Sequence, residues 1–350
     1  MRPASKVAQS EREIPLSSAP RGHVSALWVS WNDHRRTTGL CAAWDVPVHI
    51  VRSNRRGLGQ WVGRSISTLG LLQRTRPQIL FVQNPSLALT VLATLTRRVF
   101  GYYLVVDAHN EGVRPYARPG RVVRWVTRRL LRSADATIVT NDALAKDVHD
   151  AGGRALVLPD SLPEPDLPGR PASKDEENLV VIISSFMSDE PVAAIVSAAA
   201  MLPDLQFAFT GDARRLRRHD LELPPNVRLT GYLTERAFWK LLSRAAVVCD
   251  LTLKPDCLVC GAYEALALGK PMVLSDNPAT REIFGPAAIL TSGEADDIAR
   301  AVRTAIEQRD RLEVHARRLR QEYGTPWHAH AANAWDAIRA GATAARRGLV

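Results

Sequence analysis

The sequence predicts an α/β chain built as two parallel-sheet domains that face each other across a cleft. Three observations carry this expectation. At 350 residues, 46% of them hydrophobic, the chain is long enough for two domains of ordinary size, each with its own core. Apolar, β-branched runs alternate with helical patterns in two separate sets, the signature of parallel strands covered by helices. Between the sets, Pro159 to Asn178 (PDSLPEPDLPGRPASKDEEN) is rich in proline and charge and reads as a linker, with 166–178 as the span between domains.

In the first set the strand signals are His23 to Ser30, Val46 to Val51, Gln78 to Gln83, Tyr103 to Asp107, Ala136 to Thr140 and Ala155 to Leu158. Residues 1–22 are polar and charged without an apolar central run, and read as a disordered tail rather than a signal peptide. In a parallel sheet, ligands bind beyond the carboxyl ends of the strands. The segments there are WNDHRR after the first strand, VQNPS after the third and VDAHNEG after the fourth. They place Asp33 and His34 on one rim with His109, Asn110 and Glu111. The segment GRVVRWVTRRLLRS from Gly120 reads as an amphipathic helix, with Arg121, Arg124, Arg128 and Arg132 on one stripe and Val123, Val126 and Leu130 on another.

In the second set the strand signals are Leu179 to Ser184, Leu205 to Thr210, Val227 to Thr230, Ala246 to Asp250 and Pro271 to Ser275. A helical region after Gly293 is expected to reach about Tyr323, with Thr325-Pro326-Trp327 opening a last helix to Arg347. The most informative stretch is KPDCLVCGAYEALALGKPMVLSDNPATREIFG, Lys254 to Gly285. Asp256 lies in the loop before a small-residue helix, and Glu264 lies just inside that helix, which Gly269 and Pro271 close. A helix start offers N–H groups and partial positive charge to a phosphate, and a carboxylate beside it can accept both hydroxyls of a ribose. The combination suits a nucleotide diphosphate sugar.

The ordered string Asp256, Glu264, Gly269-Lys270-Pro271, Ser275-Asp276 and Glu282 resembles the C-terminal domain of the GT-B glycosyltransferases, in particular family 4. FTGDARRL, NVRLTGYL and RAAVVCDL extend that resemblance over most of residues 179–290. It implies two Rossmann-like domains: an acceptor-side domain at 23–165 and a nucleotide-sugar-binding domain at 179–323. A final segment, 324–350, would return to the first domain, with Trp327 and Trp335 as its anchors or else as part of the second domain's own core. The resemblance further implies catalytic roles for His109 and Asp256, with donor contacts from Glu264, Gly211 and Glu282; Lys254 and Gly261 are expected on the donor side from the residues themselves. Asp33, His34 and Asn110 fall on the acceptor side. QNP, D-x-H-N and SSFMSDE also resemble the β-mannosyltransferase that acts on dolichyl-linked chitobiose. One departure from family 4 stands out. The loop after the first strand of the second domain lacks the Arg/Lys pair that holds the diphosphate, so the helix near Gly261, Lys254, or Arg214 and Arg215 must substitute for it.

Composition narrows the partners. Cys41, Cys249, Cys257 and Cys260 supply neither a disulfide framework nor a four-ligand zinc site, and read as packing residues in a reducing cytoplasm. No metal site and no cofactor are expected beyond the sugar donor as co-substrate. The apolar segments are too short to span a membrane. Residues 1–165 carry 23 Lys+Arg against 12 Asp+Glu, whereas the remainder is close to neutral. With no aromatic-interleaved basic motif, nucleic acid is not the expected partner. The basic helix instead suits an anionic membrane surface, each cation contributing about 1 kcal/mol. The expected activity is metal-independent glycosyl transfer to a glycan or polyprenyl-linked acceptor, in polysaccharide or glycolipid synthesis. The expected location is cytoplasmic and peripheral on the inner face of the plasma membrane. A catalytically inactive GT-B protein that binds a glycan or a partner is the alternative.

Overall fold

The computed structural model describes residues 25–53, 57–84, 86–115, 120–167, 178–216 and 220–347. The expected tail at 1–22 and residues 168–177 of the expected linker lie outside them. The described residues form two six-stranded sheets whose strand pairs are all parallel. In the first, β1 (Ala26–Ser30), β2 (Val48–Ile50), β3 (Ile79–Asn84), β4 (Tyr103–Ala108), β5 (Ala136–Val139) and β6 (Ala155–Val157) run in the order β2-β1-β3-β4-β5-β6. In the second, β7 (Leu179–Ile182), β8 (Gln206–Thr210), β9 (Val227–Gly231), β10 (Val247–Asp250), β11 (Met272–Ser275) and β12 (Ala288–Thr291) run in the order β12-β11-β10-β7-β8-β9. Every residue of β3 and β4 is buried, because helices cover both faces of the sheet.

These orders explain where a site can form. Strand order reverses between β1 and β3 in the first sheet and between β7 and β10 in the second, and each reversal opens a crevice at the strand ends. Segments 31–34, 183–191 and 251–259 follow β1, β7 and β10 at these crevices, and 109–115 follows the neighbouring β4.

All eleven expected strands are present, and β12 is additional. Its four residues form too short an apolar run for periodicity to distinguish strand from helix. A second correction concerns the C-terminus: the break comes at Gln308, and one helix runs unbroken from Arg309 to Arg347 with Pro326 inside it. Proline there removes one helical hydrogen bond. Side chains around it hold the turn in place: Tyr323 Oη donates to Asp160 O at 2.7 Å and Trp327 Nε1 to Pro159 O at 2.8 Å. The same helix packs Ala316 into the second domain and Trp327, Ala331, Ala334 and Ile338 into the first, where Trp44 Nε1 donates to Ala331 O at 2.8 Å. Trp335 stacks on Trp44 at 5.7 Å between ring centroids. Both tryptophans thus anchor the helix to the first domain.

The basic helix, Arg121–Ser133, buries Thr127, Leu130 and Leu131, while Val126 is half-buried and Val122, Val123 and Trp125 are exposed. Val123 therefore does not belong to the packing stripe. The packed face is centred between Leu130 and Leu131, and Leu131 meets the core under β4 and β5.

Candidate functional site

On the first-domain rim, His34 caps the helix Arg35–Trp44 by accepting from Arg36 N through Nδ1 at 3.3 Å. That cap turns its ring toward His109, with centroids 4.3 Å apart. Beneath the pair lies Asp107, wholly buried at the end of β4, whose Oδ1 accepts from Arg36 Nε at 2.8 Å. Arg36 also pairs with Asp160, and these two carboxylates raise its pKa against the opposing effect of burial. Asp107 Oδ2 lies 3.7 Å from His109 Nε2, and neither atom has a hydrogen-bond partner among the described residues. Burial lowers the His109 pKa to about 4, against the attraction of Asp107, so the imidazole is neutral at pH 7. A neutral ring with a spare nitrogen can exchange hydrogen bonds with a sugar hydroxyl, but it is a weak base.

The second-domain rim begins at Asp250, at the end of β10. Burial pushes its carboxyl well above the usual range, and its Oδ2 accepts from Gly261 N at 2.9 Å. A Cβ at Gly261 would fall 2.4 Å from that oxygen, so only glycine allows this approach at the start of the helix Cys260–Leu268. Glu264 follows one turn later, 7% exposed, and is ion-paired to Arg35 of the first domain. Arg35 also lies 3.4 Å from Glu235, with its guanidinium 5.5 Å from the Trp239 ring. Burial raises Glu264 to about 7, with Arg35 opposing the shift.

Two cavities lie between the rims. One of about 600 Å³ is lined by His34, Arg35, Asp160, Glu264, Tyr263 and Trp327 among others. The other, of about 350 Å³, is lined by His109, Asn110, Glu111, Glu190, Asp250 and Lys254 among others. Lys254 Nζ sits 2.6 Å from Glu111 and 2.7 Å from Asp189. Of the expected residues, His34 lines both cavities, Glu264 the larger, and His109, Asn110 and Lys254 the smaller.

Other expected residues are placed differently. Asp33 faces solvent beside Arg52 at 3.4 Å and lines neither cavity, because the His34 cap turns the chain away from it. Glu282 is exposed on the helix Pro278–Phe284 and also lies outside both. Asp256 is at the domain junction but outside both cavities. Its Oδ2 accepts from Arg114 at 2.7 Å and its carbonyl from Asn141 Nδ2 at 2.9 Å, while Asn110 Nδ2 donates to Pro255 O at 3.1 Å. Gly211 lies under the β7 loop at φ 100°, where a Cβ would come within 2.1 Å of Ser184 O. Of the cysteines, Cys41 and Cys249 are buried, whereas Cys260 is exposed and lines both cavities, so it is not a packing residue.

The loop that lacks the basic pair holds an anion of its own. Glu190 accepts from Ser185 N at 2.9 Å, from Phe186 N at 3.0 Å and from the hydroxyls of Ser184 and Ser185. Of the expected cationic substitutes, Arg214 is clamped on Asp212 at 2.8 and 2.9 Å. Arg215 reaches the loop itself, donating to Ser185 O at 3.3 Å. Sequence reasoning missed Arg35, Arg36, Asp107, Asp160, Glu190 and Asp250 as cleft residues. Asp107 and Asp250 had a usable signal, since each is an acid closing an apolar strand.

Residues 17–159 match the family described as glycosyl transferase 4-like domain, and residues 164–322 match the one described as glycosyl transferases group 1. The chain belongs to the GT-B, family-4-like glycosyltransferases. Solved structures repeat this glycosyltransferase's fold over nearly the whole chain. Sucrose-phosphate synthase from Thermosynechococcus elongatus is 16% identical with a TM-score of 0.73, covering 90% of this chain and 98% of its own. Anabaena HepE in complex with UDP is 15% identical with a TM-score of 0.67, covering 89% and 100%. HepE has also been solved with UDP-glucose, at 16% identity, a TM-score of 0.66 and coverages of 93% and 99%. At these identities the likeness is one of fold. No curated protein sequence matches the chain. None of these matches bears on the narrower likeness to the β-mannosyltransferase.

Proposed function

We propose that this glycosyltransferase moves a sugar from a nucleotide diphosphate sugar to a hydroxyl of a glycan or polyprenyl-linked acceptor, without a metal ion, in polysaccharide or glycolipid synthesis. We place it in the cytoplasm at an anionic membrane surface. The observation that carries the donor reading is Glu264: a buried carboxylate one turn into a helix, lining the larger cavity beside a helix start that only glycine can form. The UDP and UDP-glucose complexes of HepE, a protein of the same fold, support a nucleotide-sugar donor.

In this reading Glu264 accepts the ribose hydroxyls, and the chain approaches the phosphates closely at Gly211 and Gly261. Lys254 is the cation within the smaller cavity and faces the departing diphosphate. Departure of the leaving group builds negative charge on it and oxocarbenium character on the sugar, so positioning and fixed charges supply most of the rate. His109, kept neutral, hydrogen-bonds the sugar from the opposite rim, and His34 and Asn110 lie on the acceptor side. Asp256 reaches donor hydroxyls only after Arg114 releases it.

The occupancy of the Ser185 and Phe186 amides by Glu190 favours a second reading, a GT-B protein that binds but does not turn over. A donor panel of UDP-, GDP- and dTDP-sugars with lipid-linked and soluble acceptors separates the two. Turnover by the native chain, abolished in Glu264→Ala, supports the enzyme. Nucleotide binding without turnover of any donor supports the second reading, and absence of nucleotide binding removes both.

A further inference from the structure

Three neighbouring helices cover one face of the first sheet: Leu58–Thr75, Leu87–Phe100 and Arg121–Ser133. Their inward residues Leu71, Leu72, Leu89, Ala93 and Leu131 share one core with that sheet. Their outward composition is unusual in two respects. Not one of their 45 residues is acidic, whereas nine are arginines. Among the described residues, nine of the sixteen large hydrophobic side chains left exposed lie on these helices, including Leu58 at 85%, Val122 at 73%, Leu95 at 72% and Trp125 at 67%.

The two features occupy the same outward surface. On Arg121–Ser133, Trp125 falls within about 60° of Arg121, Arg128 and Arg132, opposite the buried Leu130, and Val122 is exposed at the edge of that stripe. Trp61 and Ile66 are exposed on the first helix, and Leu95 and Val99 flank Arg98 on the second.

We infer that this three-helix layer is a membrane-docking face, with anionic lipid as its occupant. The inference deepens the membrane location proposed for the enzyme and rests on it, but it is independent of the donor site. Arginines at headgroup level attract acidic lipids, while tryptophan and aliphatic tips enter the boundary between headgroups and acyl chains. The charge pattern discriminates among occupants. A second copy of the chain would oppose seven exposed arginines to seven. A nucleic acid would satisfy the cations but leave the leucine, valine and isoleucine tips against phosphate.

Co-sedimentation of the full chain with vesicles tests this. The probes are vesicles of phosphatidylcholine alone and with about a third phosphatidylglycerol, at low and high salt. Binding is expected to the anionic vesicles only, weakening as salt rises. Two variants separate the contributions: Trp61→Ala with Trp125→Ala, and Arg121→Gln with Arg124→Gln and Arg128→Gln. The tryptophan pair is expected to lower the partition coefficient about tenfold, and the three arginines, at about 1 kcal/mol each, about a hundredfold. All five positions are exposed, so melting temperature and nucleotide-induced stabilisation should match those of the native chain. That second readout keeps failure of the docking face distinguishable from failure of the donor reading. The inference is overturned if the native chain stays in the supernatant with anionic vesicles at low salt, or if neither variant weakens binding. It is also overturned if duplex DNA or RNA binds more tightly than the vesicles through the same arginines.

Discussion

The protonation state of Glu264 links ligand binding and stability to pH in opposite ways. Burial raises its pKa from 4.5 to about 7. At pH 6 about one tenth of the folded molecules carry the carboxylate that ribose hydroxyls need, and at pH 8 about nine tenths do. Affinity for a ribonucleoside diphosphate should therefore rise roughly tenfold between those values. Stability moves the other way. Below pH 4.5 the group is protonated in both folded and unfolded chains, so it has no effect. As pH rises toward 7 the unfolded chain ionises first, and the folded state loses up to about 3 kcal/mol. The perturbation is Glu264→Gln, which removes both dependences. Titration calorimetry from pH 6 to 8.5 reads the binding, and urea denaturation over the same range and down to pH 4.5 reads the stability. Ligand phosphates titrate in this range too, but identically for both proteins, so the native-to-variant affinity ratio isolates Glu264. A ratio flat from pH 6 to 8 would refute the assignment of this carboxylate to the ribose.

Removal of Glu190 opens the Ser185 and Phe186 N–H groups and the two serine hydroxyls. Glu190→Ala should bind nucleoside diphosphates about tenfold more tightly, with nucleosides unchanged, by calorimetry, because charge-assisted hydrogen bonds are worth about 1.5–3 kcal/mol each before the cost of loop ordering. Trp44→Ala removes the ring against which Phe81 and Trp335 pack and the donor to Ala331 O. It should cost about 3–5 kcal/mol by urea denaturation and expose the C-terminal helix beyond Pro326 to limited proteolysis.

The fold was legible where the chain obeys local rules. β3 and β4 are continuous apolar runs bounded by turn residues, and such runs mark buried parallel strands whatever surrounds them. Pro326 was misread because the hydrogen bonds holding the helix through it come from Trp327 and Tyr323 to residues more than 160 positions earlier. The site shows the same division. Glu264 announces itself by its place in a helix start. Arg35 does not, since its partner lies 229 residues away and only the docking of two domains brings them together. Glu190 gave too weak a signal for a different reason: a loop carboxylate's role depends on which N–H groups face it, and sequence shows those only after the loop's course is known.

The domain contacts themselves bear on how a donor could enter. Three second-domain residues expected to face the donor are each matched to the first domain by charge: Glu264 with Arg35, Lys254 with Glu111, and Asp256 with Arg114. A ribose that takes over Glu264 displaces Arg35, and a sugar that takes over Asp256 displaces Arg114. Each displacement frees a guanidinium at the cleft as a diphosphate brings its own negative charge, so the cations leave the carboxylates when another anion needs them. On the proposed donor reading, Arg35 and Arg114 of the first domain would then add to Lys254 the charge that the loop at Ser184–Phe186 lacks. Under this arrangement donor affinity depends on interdomain closure as well as on the second domain.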